Sequence, residues 1–410
     1  MPLGGGPTSI GGTTLGPIFC WVLWAIRHCI GPWTHNFPHA GGIGLSILQS
    51  AADAFLVVAI WRRFHSLLLA LAFTLFVATE PYDMALTATI WNPPLAVAFA
   101  KLAMAFVLLG GPDGSIWWSV GATTASTLAV QTHSSALFFA LPVITSITIR
   151  ELLAHRWTRA LQVAMATSAA VLLLEVPIFV DMAMHPAREI RPVAVVGSVS
   201  YTLAHPTALR PLSALRALVT ACDFILMRPW TFEWMGPLLA VCALVTTFRV
   251  RRDAMLAGVT VGPLAAAVFG FAFWQAAYEH YWFLVIAPSA ALTIVLALTA
   301  WPSMRPFIAA AMLLVVVWAQ PWRTIDGRTM VRLPEYGALA TGSLAIRRHA
   351  TELRHLDVEF PLPPSAVPEF LYETLGGRID DNALFSATIR RTGEVIFTPV
   401  PSMAQSGPTN

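Results

Sequence analysis

Residues 90–135 read IWNPPLAVAFAKLAMAFVLLGGPDGSIWWSVGATTASTLAVQTHSS. In this stretch two apolar segments flank a Gly-Pro-Asp-Gly turn, and each outer end carries a short polar motif. Apolar segments of this length are typical of helices that cross a bilayer. The stretch therefore predicts a membrane hairpin whose polar ends, Trp91–Asn92 and Gln131–Ser135, emerge on the same face of the membrane.

The composition of the whole chain agrees with this prediction. Of the 410 residues, 56% are hydrophobic and 11% are charged, and the formal net charge is +3. Soluble domains carry about 25% charged residues, so the composition is typical of a polytopic membrane protein. The small net charge and the lack of a basic stripe in the sequence argue against nucleic acid as a partner.

The apolar segments predict about ten transmembrane helices. Several have only about 16 or 17 residues, the lower limit for crossing a hydrocarbon core of about 30 Å. The segment Leu15–Trp33 is aromatic but is broken by Arg27 and His28, so it predicts an interfacial helix. The predicted spans are residues 41–61, 65–80, 94–110, 116–132, 134–150, 160–181, 233–249, 254–275, 281–300 and 305–320.

Arginines in the short loops predict the orientation of these spans. The positive-inside rule makes their side cytoplasmic, and in a ten-span count one side receives Arg62, Arg63, Arg150, Arg156, Arg159, Arg249, Arg251, Arg252 and Arg305. The other side receives residues 1–40, 81–93, 131–135, 182–232, 278–281 and the C-terminal tail. Because this topology puts the N-terminus outside, we expect a further span upstream of Met1 in the native gene product.

A change of composition predicts two domains. Residues 1–322 form the transmembrane domain, and residues 323–410 form a small extracytoplasmic domain. In the second domain, residues 343–356 repeat apolar positions at helical spacing, and residues 385–400 predict two strands around Thr392–Gly393. The predicted fold class is an all-α polytopic membrane protein with a small C-terminal α/β domain.

Ionisable and aromatic side chains recur on the predicted outer face. Glu80 and Asp83 precede Trp91 and Asn92 in one loop, where a carboxylate can serve as a general base or a metal ligand. The alternative interpretation is a solvated loop in which Trp91 is an interfacial anchor.

The polar turn that contains Gln131 and His133 also has two interpretations. Its Ser, Thr and Gln side chains suit the task of satisfying backbone groups at a membrane edge, while His133 offers a proton donor or acceptor near neutral pH. Similar groups on the same face predict a polar and aromatic ring around an outward cavity; they are Glu175, Asp181, Tyr278, Glu279 and His280.

Two further sets of charged residues have open interpretations. Asp53 and Lys101 lie inside predicted spans, where a charge is costly, and form either a structural buried pair or groups that face a wet cavity. Arg188 and Arg191 lie in an outer loop. Their guanidinium forks suit phosphate, although loop arginines are commonly just solvated.

Four motifs carry a resemblance to a known family. They are Gly6-Pro7-Thr8-Ser9, Leu15-Gly16-Pro17-Ile18-Phe19, Trp91-Asn92-Pro93 and Gln131-Thr132-His133-Ser134-Ser135-Ala136-Leu137. With these motifs the chain resembles polytopic glycosyltransferases of the GT-C superfamily. It is most similar to the bacterial dolichyl-phosphate-mannose-protein mannosyltransferase-like group, also called the RgtA/B/C/D-like group.

The resemblance implies a GT-C-like fold and an inverting sugar transfer from a polyprenyl-phosphate carrier to an envelope glycan, lipid or protein. The site and the C-terminal tail would face the periplasm at the bacterial inner membrane. In that family the base is an acidic residue shortly after the first span. This chain has no Asp or Glu before Asp53, and it has Asn92 where many relatives are acidic. These departures indicate a truncated, diverged or inactive copy.

Within this interpretation each candidate residue has an expected role. Glu80 and Asp83 supply carboxylates, and His133 joins them as a catalytic candidate. Arg188 and Arg191 hold the carrier phosphate, and the remaining substrate-binding candidates are Trp91, Asn92, Gln131, Tyr278, Glu279 and His280. No cofactor is specified, and dependence on a divalent metal is left open.

Two other functions fit a polytopic chain with an outward site. A lipid or glycan transporter or flippase would call for inverted repeats and helices broken in matching places, and the sequence has no such internal symmetry. An O-antigen polymerase or ligase would share the outward site and the arginine-rich loop, and the identity of its acceptor would distinguish it.

Overall fold

The computed structural model describes residues 13–34, 37–79, 90, 92–111, 114–185, 191–192, 235–273, 285–299, 301–319, 333–359, 369, 372 and 377–400. These residues are mostly helical. The helices are α1 Ile18–Cys29, α2 Phe37–Phe64, α3 Leu67–Ala78, α4 Asn92–Gly110, α5 Ile116–Thr132, α6 Leu137–Leu153, α7 Trp157–Met184, α8 Met235–Val250, α9 Ala254–Val259, α10 Val261–Phe273, α11 Ala287–Leu298, α12 Arg305–Ala319 and α13 Leu333–His349.

Four segments in the described part of the chain are long and apolar enough to cross a membrane. They are Ala40–Phe64, Asn92–Gly110, Ser134–Leu153 and Trp157–Met184. A fifth results if α11 and the segment Pro302–Val317, which meet at a bend of 120°, form one span. Helices fall within all ten segments predicted to span, but several of these helices are short. The chain is therefore a helical protein with four or five candidate spans, and the count of ten stays a prediction.

One predicted span is divided into two helices. Residues 254–275 contain α9 and α10, which are separated at Thr260. Beside this break, Gly258 lies so close to α6 that a Cβ there would be 2.1 Å from Oγ of Ser146. Hydropathy detects the apolar length of such a segment but not the break within it.

The hairpin predicted over residues 90–135 is present as a pair of helices, α4 and α5. The first is among the candidate membrane spans and the second is not, so the crossing of the membrane by α5 stays a prediction. Asn92 is the first residue of α4, and Pro93 and Pro94 occupy the first turn, where a missing N–H costs no helical hydrogen bond. The two helices approach closely at Gly121, where an added Cβ would lie 3.0 Å from the Phe106 ring. The motifs at the two outer ends therefore lie at the same end of the helix pair, as the sequence predicts.

Asp53 and Lys101 form an ion pair between α2 and α4. The Lys101 Nζ lies 2.8 Å from Oδ1 of Asp53, and the Lys101 side chain is fully buried. Lys101 is also the only lysine in the 410 residues. Of the two interpretations of these residues, the geometry favours the buried pair.

Polar contacts join three turns at one end of the helical unit. Nη2 of Arg63 lies 2.6 Å from Oδ2 of Asp253, which precedes α9. Arg305 Nη1 donates to the Phe64 carbonyl oxygen at 2.6 Å, and Arg249 donates to the carbonyl oxygen of Leu296. These arginines were predicted to share one side of the membrane, and the contacts place them at one end of the unit.

The chain divides into two compact units. The first consists of Met1–Ala25 and Gly44–Ile325, and the second consists of Ile26–Ile43 and Asp326–Asn410. The described part of the first unit contains one pair of short parallel strands, β1 Thr13–Thr14 and β2 Arg191–Pro192.

The second unit contains a small sheet region packed with α13. Its strands are β3 Glu352–Leu353, β4 Leu356–Val358, β5 Arg378–Ile379, β6 Phe385–Ile389 and β7 Val395–Pro399. Strand β6 pairs with β4 in parallel and with β7 in antiparallel orientation. The β6–β7 hairpin turns at Gly393, whose φ of +85° favours glycine, so the predicted hairpin is confirmed.

The predicted helix over residues 343–356 is partly wrong. The helix α13 begins earlier, at Leu333, and ends at His349. Leu353 and Leu356 fit the helical spacing, but both belong to strands and pack in a core with Tyr372. The spacing of apolar residues alone does not show whether these leucines belong to a helix or to strands.

We predict that Lys101→Met strongly destabilises the protein. The substitution leaves the Asp53 carboxylate without its cation in a buried place, and such a loss costs about 3–5 kcal/mol. Resistance to unfolding by SDS in mixed micelles measures the effect. Adding Asp53→Asn to this variant should recover part of the loss, and equal stability of the single and double variants would contradict a role for the pair.

Candidate functional site

The side chain of Gln131 is the centre of a polar region at one end of the first unit. It is fully buried near the end of α5. Its Nε2 donates to the carbonyl oxygen of Leu174 at 2.7 Å and to Oε1 of Glu175 at 3.3 Å. Its Oε1 accepts no hydrogen bond from the residues that the structure describes. Gln131 thus ties α5 to α7 and keeps one buried acceptor available.

The backbone before α1 packs directly on Gln131. The Gly16 N–H donates to the carbonyl oxygen of Gln131 at 3.0 Å. A Cβ at Gly16 would lie 2.7 Å from side-chain carbons of Gln131, so this close approach requires glycine. The glycine of one motif therefore contacts the glutamine of another across more than a hundred residues of sequence.

The strand pair β1–β2 brings the segment after α7 to the same place. Thr13 pairs with Arg191, and Thr14 pairs with Pro192. Since Gly16 follows β1 by two residues, the backbone of Arg191 lies near the Gln131 region. The structure describes no side-chain position for Arg191.

Asn92 closes the α4–α5 hairpin at its open end. Its Nδ2 donates to the carbonyl oxygen of Thr132 at 2.9 Å. Thr132 is the last residue of α5, and its carbonyl oxygen has no partner within the helix. Asn92 therefore acts as a cap for α5, which gives it a structural role beside any contact with substrate.

His133 is held by the turn that follows α5. Its Nδ1 accepts the backbone N–H of Ser135 at 3.3 Å and lies 2.6 Å from Oγ of Ser135. Because Nδ1 accepts from a backbone amide, the neutral ring carries its proton on Nε2. Burial lowers the pKa of His133 to about 4, so the ring is neutral at pH 7 and offers an Nε2–H donor.

Two acidic residues of α7 complete the described part of this region. Glu175 is buried beside Gln131, and Asp181 is buried six residues further along α7. The Asp181 Oδ1 lies 3.3 Å from Nδ1 of His185. Of the two acidic residues predicted to belong to the ring, Glu175 contacts Gln131, whereas no hydrogen bond of the described residues joins Asp181 to Gln131. The ring itself stays a prediction.

Most of the other predicted site residues lie outside the described residues. They are Glu80, Asp83, Trp91, Arg188, Tyr278, Glu279 and His280. The residue that the sequence arguments missed is Gly16, which serves as the backbone contact of Gln131. The signal for it was present in the Leu15-Gly16-Pro17 motif, since a glycine between buried residues often marks a close approach.

The described residues contain no group of three His, Cys, Asp or Glu side chains that could hold a metal ion. Glu80 and Asp83, the two carboxylates that the sequence offers as metal ligands, lie outside the described residues. Dependence on a divalent metal therefore stays untested.

No protein-family model matches the chain, and no curated protein matches it.

We predict that the protein loses stability between pH 6.5 and pH 4 through His133. The ring has a pKa near 6.5 when unfolded and about 4 when folded. In this window the unfolded chain binds more protons, so stability is full above pH 6.5 and falls as the pH falls. The thermal unfolding midpoint of the detergent-solubilised protein, measured from pH 7 to pH 4, tests this expectation.

The control for this pH series is His133→Gln, which keeps a polar side chain but does not titrate. The difference in midpoint between wild type and variant should shrink as the pH falls. A difference that stays constant across the series would contradict the buried neutral state of His133.

Proposed function

We propose that the protein is a membrane glycosyltransferase that transfers a sugar from a polyprenyl-phosphate carrier to an envelope acceptor. The reaction takes place on the extracytoplasmic face of a bacterial inner membrane, and the membrane domain has ten spans in a GT-C-like arrangement. The acceptor is a glycan, a lipid or a protein of the envelope.

One observation carries this proposal: three of the four motifs that resemble the GT-C group contact one another, and the fourth, Gly6-Pro7-Thr8-Ser9, lies outside the described residues. Gly16, of the motif Leu15-Gly16-Pro17-Ile18-Phe19, bonds to Gln131, and Asn92 bonds to Thr132. Here three separate segments meet around a buried amide with an available acceptor oxygen, which supports a shared site.

The proposed chemistry assigns a role to each group. The acceptor oxygen attacks the anomeric carbon, the bond from that carbon to the phosphate oxygen breaks, and the polyprenyl phosphate leaves. A carboxylate of Glu80 or Asp83 takes the acceptor proton. Arg188 and Arg191 bind the phosphate, because guanidinium groups stabilise the charge that develops on the leaving oxygen.

His133 enters this scheme as a hydrogen-bond donor. Its Nδ1 is used by Ser135, so Nε2–H is the group that can reach a substrate oxygen. A neutral donor of this kind stabilises developing negative charge without first losing a proton. The sequence left open whether His133 acts as a proton donor or acceptor. The neutral ring and the use of Nδ1 by Ser135 favour a third role, in which Nε2–H donates a hydrogen bond and keeps its proton.

We predict that Glu80→Gln or Asp83→Asn lowers sugar transfer by at least about a hundredfold, depending on which carboxylate is the base. His133→Ala should lower transfer by a smaller factor, because it removes one donor and no proton acceptor. Membrane vesicles supplied with a radiolabelled polyprenyl-phosphate hexose allow transfer to envelope material to be measured.

Asp381→Asn is the matched control for these variants, since Asp381 is an exposed carboxylate in a turn of the second unit. It should transfer sugar at the wild-type rate. Wild-type transfer by all three site variants would refute the assigned roles, and no transfer by the wild type would refute the proposed function.

A further inference from the structure

Three helix connections of the first unit form one surface at the end where α2 finishes. Nη2 of Arg63 lies 2.6 Å from Oδ2 of Asp253, which joins the α2–α3 connection to the α8–α9 connection. Nη1 of Arg305 donates to the carbonyl oxygen of Phe64 at 2.6 Å, which joins the start of α12 to the same place. We name this the three-turn surface; it consists of residues 61–67, 248–255 and 301–307.

The three-turn surface carries more positive charge than its own carboxylate balances. Its three segments contain six arginines, and Asp253 is their only acidic residue. Asp253 is already engaged, because Oδ1 accepts a backbone N–H in the first turn of α9 and Oδ2 pairs with Arg63. Arg62, Arg251 and Arg252 are exposed, and their side chains form no hydrogen bond or ion pair in the described part of the chain. Three guanidinium groups are therefore available to an anion.

These arginines come from two connections but lie beside one contact. Arg62 precedes Arg63 and Arg252 precedes Asp253, so the exposed groups flank the ion pair that joins the two connections. A guanidinium fork matches the oxygens of a phosphate. A phosphate-bearing ligand that lies across this contact would meet charge from both connections.

Large apolar side chains surround the arginines. Trp61 precedes Arg62 and is exposed by 48%, while Trp301 and Phe307, on either side of Arg305, are exposed by 70% and 68%. Aromatic rings next to arginines at the end of an apolar helix are typical of the membrane–water interface. Exposed apolar side chains continue along α2, α8 and α12 away from the arginines; they include Val58, Leu244, Val245, Leu314 and Val317. An acidic protein at the charged tip would leave these sides uncovered, whereas a lipid leaflet contacts both.

We propose that the three-turn surface binds the headgroups of anionic phospholipids. Arg62, Arg251 and Arg252 contact the phosphates, and Trp61 and Trp301 lie beside the first part of the acyl chains. Each arginine near a membrane surface strengthens binding to anionic lipid about fivefold. The inference uses no residue of the Gln131 region, so it does not depend on the proposed enzymatic function.

Lipid titration of the purified full-length chain in detergent tests this proposal. Phosphatidylglycerol and phosphatidylcholine are added separately, and bound lipids are counted by native mass spectrometry. We expect tighter binding of phosphatidylglycerol, and about a fivefold loss of that binding in Arg62→Gln and in Arg251→Gln. Both side chains are exposed, so both variants should keep the thermal unfolding midpoint of the lipid-free wild type. The matched control is Arg348→Gln, which removes an exposed arginine of the second unit and should bind like the wild type.

A second variant, Trp301→Ser, tests the aromatic part of the surface. It should weaken binding of both lipids by a similar factor, because the ring contacts acyl chains and leaves every guanidinium in place. Unchanged binding of both lipids by this variant would overturn the assigned aromatic contact.

Four results would overturn the proposal as a whole. Equal binding of the two lipids by the wild type is the first, and equal binding of phosphatidylglycerol by Arg62→Gln, Arg251→Gln and Arg348→Gln is the second. If inorganic phosphate raises the unfolding midpoint as much as phosphatidylglycerol does, the surface is a site for a small anion. If a polyglutamate peptide binds and phosphatidylglycerol does not, the partner is an acidic protein.

Discussion

Gln131 joins three parts of the first unit that are distant in sequence, through its side-chain amide and its backbone carbonyl. It bonds to Leu174 and Glu175 of α7, and its own backbone carbonyl receives the Gly16 N–H. A buried amide without partners is costly in an apolar interior, so the helices have to approach where these partners meet. The position of the candidate site follows from this requirement. His133 comes two residues after Gln131 in the chain, and Asn92 bonds to Thr132, which lies between them.

The helical part of the fold was predictable to the extent that apolar length determines it. The α4–α5 hairpin and the shared end of Asn92 and Gln131 follow from two apolar segments and a short turn. The break between α9 and α10 was not predictable, because it accompanies a close approach to Ser146 of another helix. Leu353 and Leu356 show the same limit in the second unit, where sheet packing took residues that local spacing assigned to a helix.

The candidate site was predictable as a set of residues on one face, but not as a set of contacts. Topology places His133 and Glu175 at one end because their spans run to the same side. The Gly16–Gln131 contact depends on how the segment before α1 folds back, and no period or charge pattern encodes that. The tautomer of His133 likewise depends on the backbone amide of Ser135, which only a three-dimensional turn brings into range.

The burial of Lys101 gives this protein an unusual chemical simplicity. A chain with 25 basic residues normally presents many primary amines, but this one has a single lysine, and that lysine faces Asp53 between two helices. An amine-selective acylating reagent has no other lysine in the sequence to react with. Labelling of the Lys101 amine therefore requires α2 to separate from α4, and the rate of labelling would report how often the interior of the bundle opens.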